Sequence, residues 1–418
     1  MLVQSILNRL HKQPGFTYGK VDLVQRQGRL ALQIAVRARK GSHGVCSGCM
    51  KRRPIYDHLP ERAYQFVPLW GLAVFFLCSP RRVQCPIDGV KVELLPWATG
   101  KHHLTNTFQW FLASWAKLLC WKVVSERFHL SWQTVFRAVG ECVLWGLRHR
   151  NLDGIKSIGV DEFAWKKGQK YLTLVYQIDH DCKRLLWIGK DRTAATFNSF
   201  FRWLGKDRSS KIEFVASDMW KAFIGVIARH ASKAVHVLDR FHVARLLCDA
   251  VDQVRRDEVH SLRKAGRPAL LTKTRWILLM RRANLTLPQR AHLAELVRVN
   301  LRSARACLLK EQFDRFWRYV YPRCAGAFLD RWCTLAMRSR LQPFKKVVAT
   351  LRKHRPLLLN WFRARHAFSL GATEGLNNKA RSVTKRAYGF RSYLHAQVAL
   401  YHAMGDLPEP KWLTHRFW

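Results

Sequence analysis

Acidic residues are what this sequence has least of for its size: 28 Asp and Glu stand against 73 Lys and Arg, a formal net charge of +45. So one-sided a surface repels basic partners and attracts polyanions. A phosphate backbone is the first choice among them, because bound cations release its counterions. A long hydrophobic run is also missing. The most apolar stretch, around Leu69 to Cys78, has about half of the roughly 20 residues that a membrane-spanning helix needs, so no membrane partner is expected. The N-terminal MLVQSILNRLHKQ carries charges inside its apolar stretch and no small-residue cleavage site, which excludes a secretory leader and predicts a cytoplasmic, nucleoid-associated protein. No repeat or low-complexity tract stands out. The cysteines, eleven of them and scattered, are an odd number. They argue against a disulfide framework and for reduced thiols with one metal site.

What is present is length and apolar content: 418 residues, 48% of them hydrophobic, enough for two or more domains with real cores. Residues 1–40 alternate in places (Val21, Leu23, Val24; Leu30, Leu32, Ile34, Val36), which suggests a small β-rich start. Cys46-Ser-Gly-Cys49 and, later, Cys85-Pro-Ile-Asp88 form two short knuckles. Thiolates at that spacing can close a tetrahedral zinc site. Asp88 stands where a fourth cysteine is expected, so the fourth ligand is that carboxylate, Cys78 or His43. The alternative is that Cys46 and Cys49 are free thiols in a surface turn.

From Leu104 to Arg150 the apolar spacing is helical, with a break at Arg127 to Leu130 and Ser131 as a good N-cap. Two helices joined this tightly fit a helix-turn-helix, the second helix presenting Gln133, Thr134 and Arg137 to a DNA groove. A plain helical hairpin with solvated Gln and Arg is the competing reading. Next come three strands (Ser157 to Phe163, Tyr171 to Ile178, Arg184 to Gly189), a helix (Ala194 to Leu204), a strand (Ile212 to Ala216), a helix (Trp220 to Arg229) and a strand (Ala234 to Leu238). That is the order of a ribonuclease H-like α/β fold, whose first and fourth strands lie side by side and bring Asp161 near Asp218. Beyond Phe241 the text is helical, punctuated by Pro268, Pro288, Pro322, Pro343 and Pro356. It reaches GATEGLNNKAR, where Thr373 can cap a helix carrying Glu374, Asn377, Asn378, Arg381 and Lys385 along one stripe.

Asp161, Asp218 and Glu374 each end or open a regular element in a chain built to hold phosphate. Hard cations take oxygen ligands, and two such ions about 4 Å apart can activate the attacking oxygen and stabilise the leaving one in phosphoryl transfer. Asp239 and His242, just past a strand, position DNA or brace the site, or His242 is a core histidine. Glu162, the strand neighbour of Asp161, points to the opposite face and is expected to be structural.

In this order, GVDEFAWKKGQKY, SDMWKAF, LDRFH and TEGLNNKARSVTKRAYGFRS resemble the conserved blocks of the ISL-three family of insertion-sequence transposases, bacterial enzymes of the DDE type. The resemblance covers essentially the whole chain, including the knuckles, RRVQCP, LPWA and the helix-turn-helix. It implies a DDE triad of Asp161, Asp218 and Glu374 with two Mg²⁺ or Mn²⁺ ions, supported by Asp239, His242, Asn378 and Arg381. It also implies DNA contacts from Gln133, Thr134, Arg137 and Lys385, and a structural Zn²⁺ at Cys46, Cys49, Cys85 and Asp88, the last a departure from the family's cysteine. The expected architecture is an α/β ribonuclease H-like catalytic core interrupted by an all-helical insertion and preceded by a zinc-ribbon-like β module and a helix-turn-helix. Its parts are 1–103 (β module), 104–150 (helix-turn-helix), 151–258 (core), 259–366 (insertion) and 367–418 (the core helix with the catalytic Glu). The expected partners are double-stranded DNA of element ends and target, and further copies of the chain, as a homodimer or higher assembly on DNA. The rival is a non-catalytic DNA-binding regulator or domesticated transposase.

Overall fold

The computed structural model describes residues 2–413 apart from 27, 101, 167, 169, 268–270, 300 and 365–370. It divides the chain into two units, residues 1–150 with 401–403 and 407–418, and residues 151–400 with 404–406. The expected boundary at 366/367 and Pro268 lie outside the described residues. Among those residues, no helix is long and apolar enough to cross a membrane.

The first unit opens with a helix that alternation did not announce, α1 (Val3–Leu10), which buries only Leu7. Strands β1 (Phe16–Arg26) and β2 (Arg29–Ala38) form a hairpin, and β3 (Gly44–Val45) and β4 (Arg52–Arg53) flank the first knuckle. After β5 (Ile55–His58) comes a second hairpin, β6 (Arg62–Leu69) and β7 (Leu72–Cys78), then β8 (Arg81–Cys85) and β9 (Gly89–Val92). The main sheet has the order β1-β2-β7-β6, and β5-β8-β9 make a smaller one. Alternation sets the burial: Ile34, Val36, Val74 and Phe76 are buried in one core, whereas Phe75, between two of them, is only half-buried. Arg81 at the start of β8 forks onto Glu93, with Nε donating to Oε1 at 3.0 Å and Nη2 to Oε2 at 2.6 Å. Both side chains are buried, and the bidentate geometry is what makes a buried charge pair tolerable.

Three helices follow, not two: α2 (Asn106–Leu118), α3 (Trp121–Arg127) and α4 (Trp132–His149). Leu119 and Cys120 are both extended and split the first expected helix. Ser131 does cap α4, its Oγ accepting the Thr134 N–H at 3.1 Å.

In the second unit, β10 (Ser157–Lys166), β11 (Lys170–Ile178) and β12 (Lys183–Lys190) form an antiparallel meander. Helices α5 (Ala194–Leu204) and the short α6 (Lys206–Ser209) lead to β13 (Phe214–Ser217), and α7 (Lys221–His230) leads to β14 (Val235–Leu238). The sheet order is β12-β11-β10-β13-β14, with β10, β13 and β14 mutually parallel. Ile158, Val160, Val175, Val215 and phenylalanines of α5 and α7 share its core.

The long helix α8 (Arg240–Lys264) runs unbroken through residue 258, so the expected end of the core falls inside a helix. Helices α9 (Arg275–Leu279), α10 (Leu287–Arg298), α11 (Arg302–Phe313), α12 (Pro322–Arg338), α13 (Gln342–Lys353) and α14 (Arg355–Arg363) follow. Pro288, Pro322, Pro343 and Pro356 all sit in first turns, where a missing N–H costs nothing. Two buried charges serve as caps: Lys310 Nζ donates to the carbonyls of Leu278, Leu279 and Met280 at 2.8–3.0 Å. Glu258 accepts the N–H groups of Arg302 and Ser303 at 2.7 and 2.8 Å. The described part ends with α15 (Gly371–Arg386) and α16 (Tyr393–Met404).

Candidate active site

Strand register brings the acids to one end of the sheet. Gly159 of β10 pairs with Ala216 of β13, and Ser217 of β13 with Leu238 of β14. Continued by two residues and by one, that register sets Asp161, Asp218 and Asp239 in a row past the carboxyl ends of β13 and β14. Neighbouring strands lie about 4.8 Å apart, and the carboxyl ends of parallel strands are where open α/β sheets bind ligands.

The fourth acid comes from α15. Gly159 is what admits it, since a Cβ there would stand 2.6 Å from Thr373 Oγ1. Thr373 is buried inside the helix and its hydroxyl has no hydrogen-bond partner among the described residues. It is therefore a packing residue and not the expected cap. Glu374, next along, is half-buried in the first turn and raises the proton affinity of Asp239 by charge.

Each of the three aspartates has a defined hold. Asp161 Oδ1 accepts the Glu162 N–H at 2.7 Å, Asp218 Oδ1 that of Trp220 at 3.0 Å, and Asp239 Oδ1 that of Phe241 at 2.8 Å, the last capping α8. Asn377 Nδ2 donates to Asp161 Oδ2, and the Asn377 carbonyl accepts the hydroxyl of fully buried Tyr176 at 2.7 Å. The ionised Asp161 carboxylate only accepts, so the amide turns its N–H to Asp161 and its oxygen to Tyr176. His242 Nε2 stands 3.9 Å from Asp161 Oδ1.

Burial above all pushes Asp161, Asp218 and Asp239 above the usual carboxylate range, a neighbouring acid adds to each rise, and His242 pulls each back. Among the described residues none of Asp161, Asp218, Asp239 and Glu374 forms an ion pair with Lys or Arg. Mutually repelling oxygen donors with no Lys or Arg ion pair have the chemistry that a hard divalent ion takes.

Sequence reasoning missed three residues here. Glu162 shares the face of Ile158 and Val160, opposite Asp161 as expected, but it is not isolated there. It lines a cleft of about 380 Å³ with Asp218, Trp220 and His242, where Arg192 Nη1 donates to it at 3.0 Å. Burial raises its proton affinity too, and Arg192 opposes the rise. Arg192 itself lies over the Tyr171 ring, 4.1 Å from the centroid. Asn377, and not its neighbour Asn378, meets Asp161. Asn378 is exposed and accepts a 2.7 Å hydrogen bond from Arg381 Nη1. Asn378, Arg381 and Lys385 are all exposed, while Asn377 is buried, so the expected single stripe is two.

In the first unit the two knuckles close on each other. Among the described residues the one group of three or more Cys, His, Asp or Glu whose ligand atoms all lie within 4.8 Å is Cys46, Cys49, Cys85 and Asp88. Cys49 and Cys85 sulfurs are 3.5 Å apart, and Asp88 Oδ2 is 3.4 Å from the sulfurs of both Cys46 and Cys85. A tetrahedron with metal–sulfur bonds of about 2.3 Å has edges near 3.8 Å, so the cage has the size of a metal site. Gly48 makes room for the carboxylate, since a Cβ there would be 2.6 Å from it. The Lys51 N–H foremost, with the Arg53 guanidinium, brings the Cys49 thiol down to about 7. Cys78 belongs instead to the sheet core, its thiol pushed up to about 12 by burial.

On α4, Gln133 and Arg137 are exposed, and Thr134 is half-buried with its hydroxyl 2.8 Å from that of Ser131. Val135, Val139 and Val143 face inward, which leaves Gln133 and Arg137 to solvent.

A family model described as "Transposase", of the DDE ISL-three type, matches residues 158–399. The transposase for insertion sequence element IS1557 of Mycobacterium tuberculosis H37Rv is 29% identical over 385 residues, 85% of each chain. The transposase for insertion sequence element IS1001 of Bordetella parapertussis is 28% identical over 396 residues, 94% of this chain and 96% of that one. With more than half of its length matched, and with the acids held at one end of the sheet inside the matched region, the chain belongs to the ISL-three family of DDE transposases.

Proposed function

We propose that the protein binds the terminal inverted repeats of its own insertion sequence, cuts at their ends, and joins the freed 3′-hydroxyls to target DNA. The observation that carries this is the alignment of Asp161 and Asp218 on neighbouring parallel strands with α15 pressed against β10 at Gly159. Sheet order β12-β11-β10-β13-β14 supports a ribonuclease H-like core interrupted by the helices between α8 and α15.

Asp161, Asp218 and Glu374 would hold two Mg²⁺ or Mn²⁺ ions, which supply an activated oxygen nucleophile and stabilise the charge on the leaving oxygen. Asp218 is preferred to Asp239 as the second ligand because it opens into the cleft, whereas Asp239 caps α8. Asn377, hydrogen-bonded on its other side to Tyr176, presents an N–H to Asp161 and favours its ionised form. His242 offsets the remaining negative charge. In both steps an oxygen attacks a phosphodiester in line, first water and then the 3′-hydroxyl, so the chain needs no covalent intermediate.

In the first unit Cys46, Cys49, Cys85 and Asp88 would hold one structural Zn²⁺, and Gln133, Thr134 and Arg137 of α4 would contact end DNA. The basic helices and the exposed Asn378, Arg381 and Lys385 would grip backbone. A reaction that pairs two ends calls for at least two subunits, working on the nucleoid in the cytoplasm.

Cleavage and strand transfer on end DNA with Mg²⁺ test the assignment. Asp161→Asn, Asp218→Asn and Glu374→Gln should abolish both steps while leaving end binding in place. Activity retained in any one of them removes that residue from the triad. Loss in Asp239→Asn with retention in Asp218→Asn would exchange their roles, and binding without cutting by the unaltered chain would favour a regulator.

A further inference from the structure

The outer face of the main sheet in the first unit meets the start of α4 across a pocket of about 290 Å³. Its walls are apolar (Phe75, Leu104, Leu130) and its rim is cationic or titratable to a cation (Arg26, His102, Arg137), with no carboxylate among the lining residues. Phe75 is the unusual member. Val74 and Phe76 on either side of it are fully buried in the sheet core, so strand alternation turns the Phe75 ring outward, where a polar side chain is the ordinary choice. Arg26 lies over it, its guanidinium carbon 4.4 Å from the ring centroid.

A stacked aromatic and guanidinium form a platform for a further flat ring, since bases stack on both groups. The volume sits at the lower edge of the roughly 300–1,000 Å³ of small-molecule sites, the scale of a single nucleoside. Apolar walls suit a base, and a rim without acids suits the phosphates that flank it. Arg137 belongs both to this rim and to the exposed side of α4, so a strand lying on α4 passes the mouth of the pocket.

We propose that the pocket receives one unpaired nucleotide of the end DNA, its base against the Arg26–Phe75 stack and its phosphates at Arg137 and His102. This rests on the reading of α4 as the DNA-contacting helix. Extruding one base costs less at a fraying or mismatched step, so the pocket would favour ends whose sequence opens easily at one position.

The test scans 2-aminopurine through the terminal inverted repeat, identified in the DNA flanking the gene, and pairs its emission with footprinting of the same complexes by the full chain. Emission should rise several-fold at a single position. Phe75→Ala should abolish that rise and weaken binding roughly tenfold, the loss of one base stack, with the footprint unmoved, and Phe75→Tyr should restore both. Gln133→Ala should instead weaken the footprint without changing which position is bright. A footprint with no bright position, or a rise that survives Phe75→Ala, overturns the pocket and leaves the α4 reading standing. Absence of any footprint overturns both.

Discussion

Gly159→Ala is the sharpest probe of how the acids are assembled, because it touches no acid. A Cβ there would lie 2.6 Å from Thr373 Oγ1, where ordinary contact begins at 3.4 Å, so something must yield by roughly 0.8 Å. β10 is paired on both sides, with β11 and β13. The element free to give is therefore α15, and the residue after Thr373 is Glu374. Overpacking of this kind costs about 1–3 kcal/mol of stability, while a displacement near 1 Å at a reacting centre costs about 10²-fold in rate. The expected result is a single-turnover cleavage rate down by about two orders of magnitude, with end binding kept and a folded protein of lowered melting temperature. Removing the obstructing hydroxyl and methyl should undo it: Gly159→Ala with Thr373→Ala should cleave nearly as fast as Thr373→Ala alone, a coupling that a double-mutant cycle measures directly. Thr373→Ala by itself should be close to neutral in stability, since the buried hydroxyl it removes has no partner among the described residues. Wild-type cleavage by Gly159→Ala, or a double variant no better than the single one, would refute the argument that this contact places Glu374.

Asn377→Ala should slow cleavage by about 10- to 100-fold, the worth of one hydrogen bond to a charged group, with the KM for DNA unchanged. Tyr176→Phe, which removes only the bond on the amide's other side, should cost less in the same single-turnover assay. Asp88→Cys should raise the zinc retained per chain through a chelator challenge, because a fourth thiolate suits that ion better than a carboxylate. Asp88→Ala should lower it, with metal content measured by mass spectrometry. His236, a buried residue of β14 2.7 Å from Ser217 Oγ, is pushed down to about 4, chiefly by burial and then by His354. With its folded value below the unfolded one of about 6.5, the unfolded chain binds more protons between pH 6.5 and 4. Stability is therefore whole above that window and falls by up to about 3 kcal/mol as pH drops through it. His236→Asn should flatten that part of a melting-temperature profile.

The strands and helices of the second unit were legible because apolar period and flanking turn residues agree there. The expected Ala194 to Leu204 helix is α5 to the residue. Where local signals were silent or misleading, the reading slipped. Nothing at Leu119 or Cys120 resembles a helix breaker, yet both are extended and divide α2 from α3. Thr373 before Glu374 looks like a cap because Thr so often is one. Its true neighbour, Gly159, is more than two hundred residues away and no local rule reaches that far. Alternation put Glu162 on the face opposite Asp161, and there it stands, but no local rule shows that Arg192, from beyond β12, and Asp218 share a cleft with it. The inward turn of Asn377 was recoverable: Ala372, Leu376, Ala380 and Val383 mark the buried face of α15, and Asn377 borders it while Asn378 lies some 100° further round.

Scarcity of acid makes the pairing of each one informative. In a chain with 73 Lys and Arg, several carboxylates that serve the fold pair with a cation, while the buried Glu258 and Asp179 take backbone N–H groups instead. Asp57 has Arg82, Asp330 has Arg355, and Asp252 is met by Arg255, Arg256 and Arg275. Asp161, Asp218, Asp239 and Glu374 have no Lys or Arg ion pair among the described residues, and burial and neighbouring acids oppose ionisation of the three aspartates, with His242 as their shared counterweight. Arg192 stands at the same cleft but is engaged by Glu162. Arg192 already lowers the proton affinity of Asp218 by charge, but its hydrogen bond to Glu162 holds it short of an ion pair with Asp218, and the negative charge at the sheet end stays available to cations that arrive from solution with the DNA. On this reasoning Glu162→Gln would free Arg192 to approach Asp218. The expected consequence is that cleavage needs more Mg²⁺ for half-maximal rate while end binding is unchanged. An unaltered Mg²⁺ dependence would return Glu162 to a purely structural role.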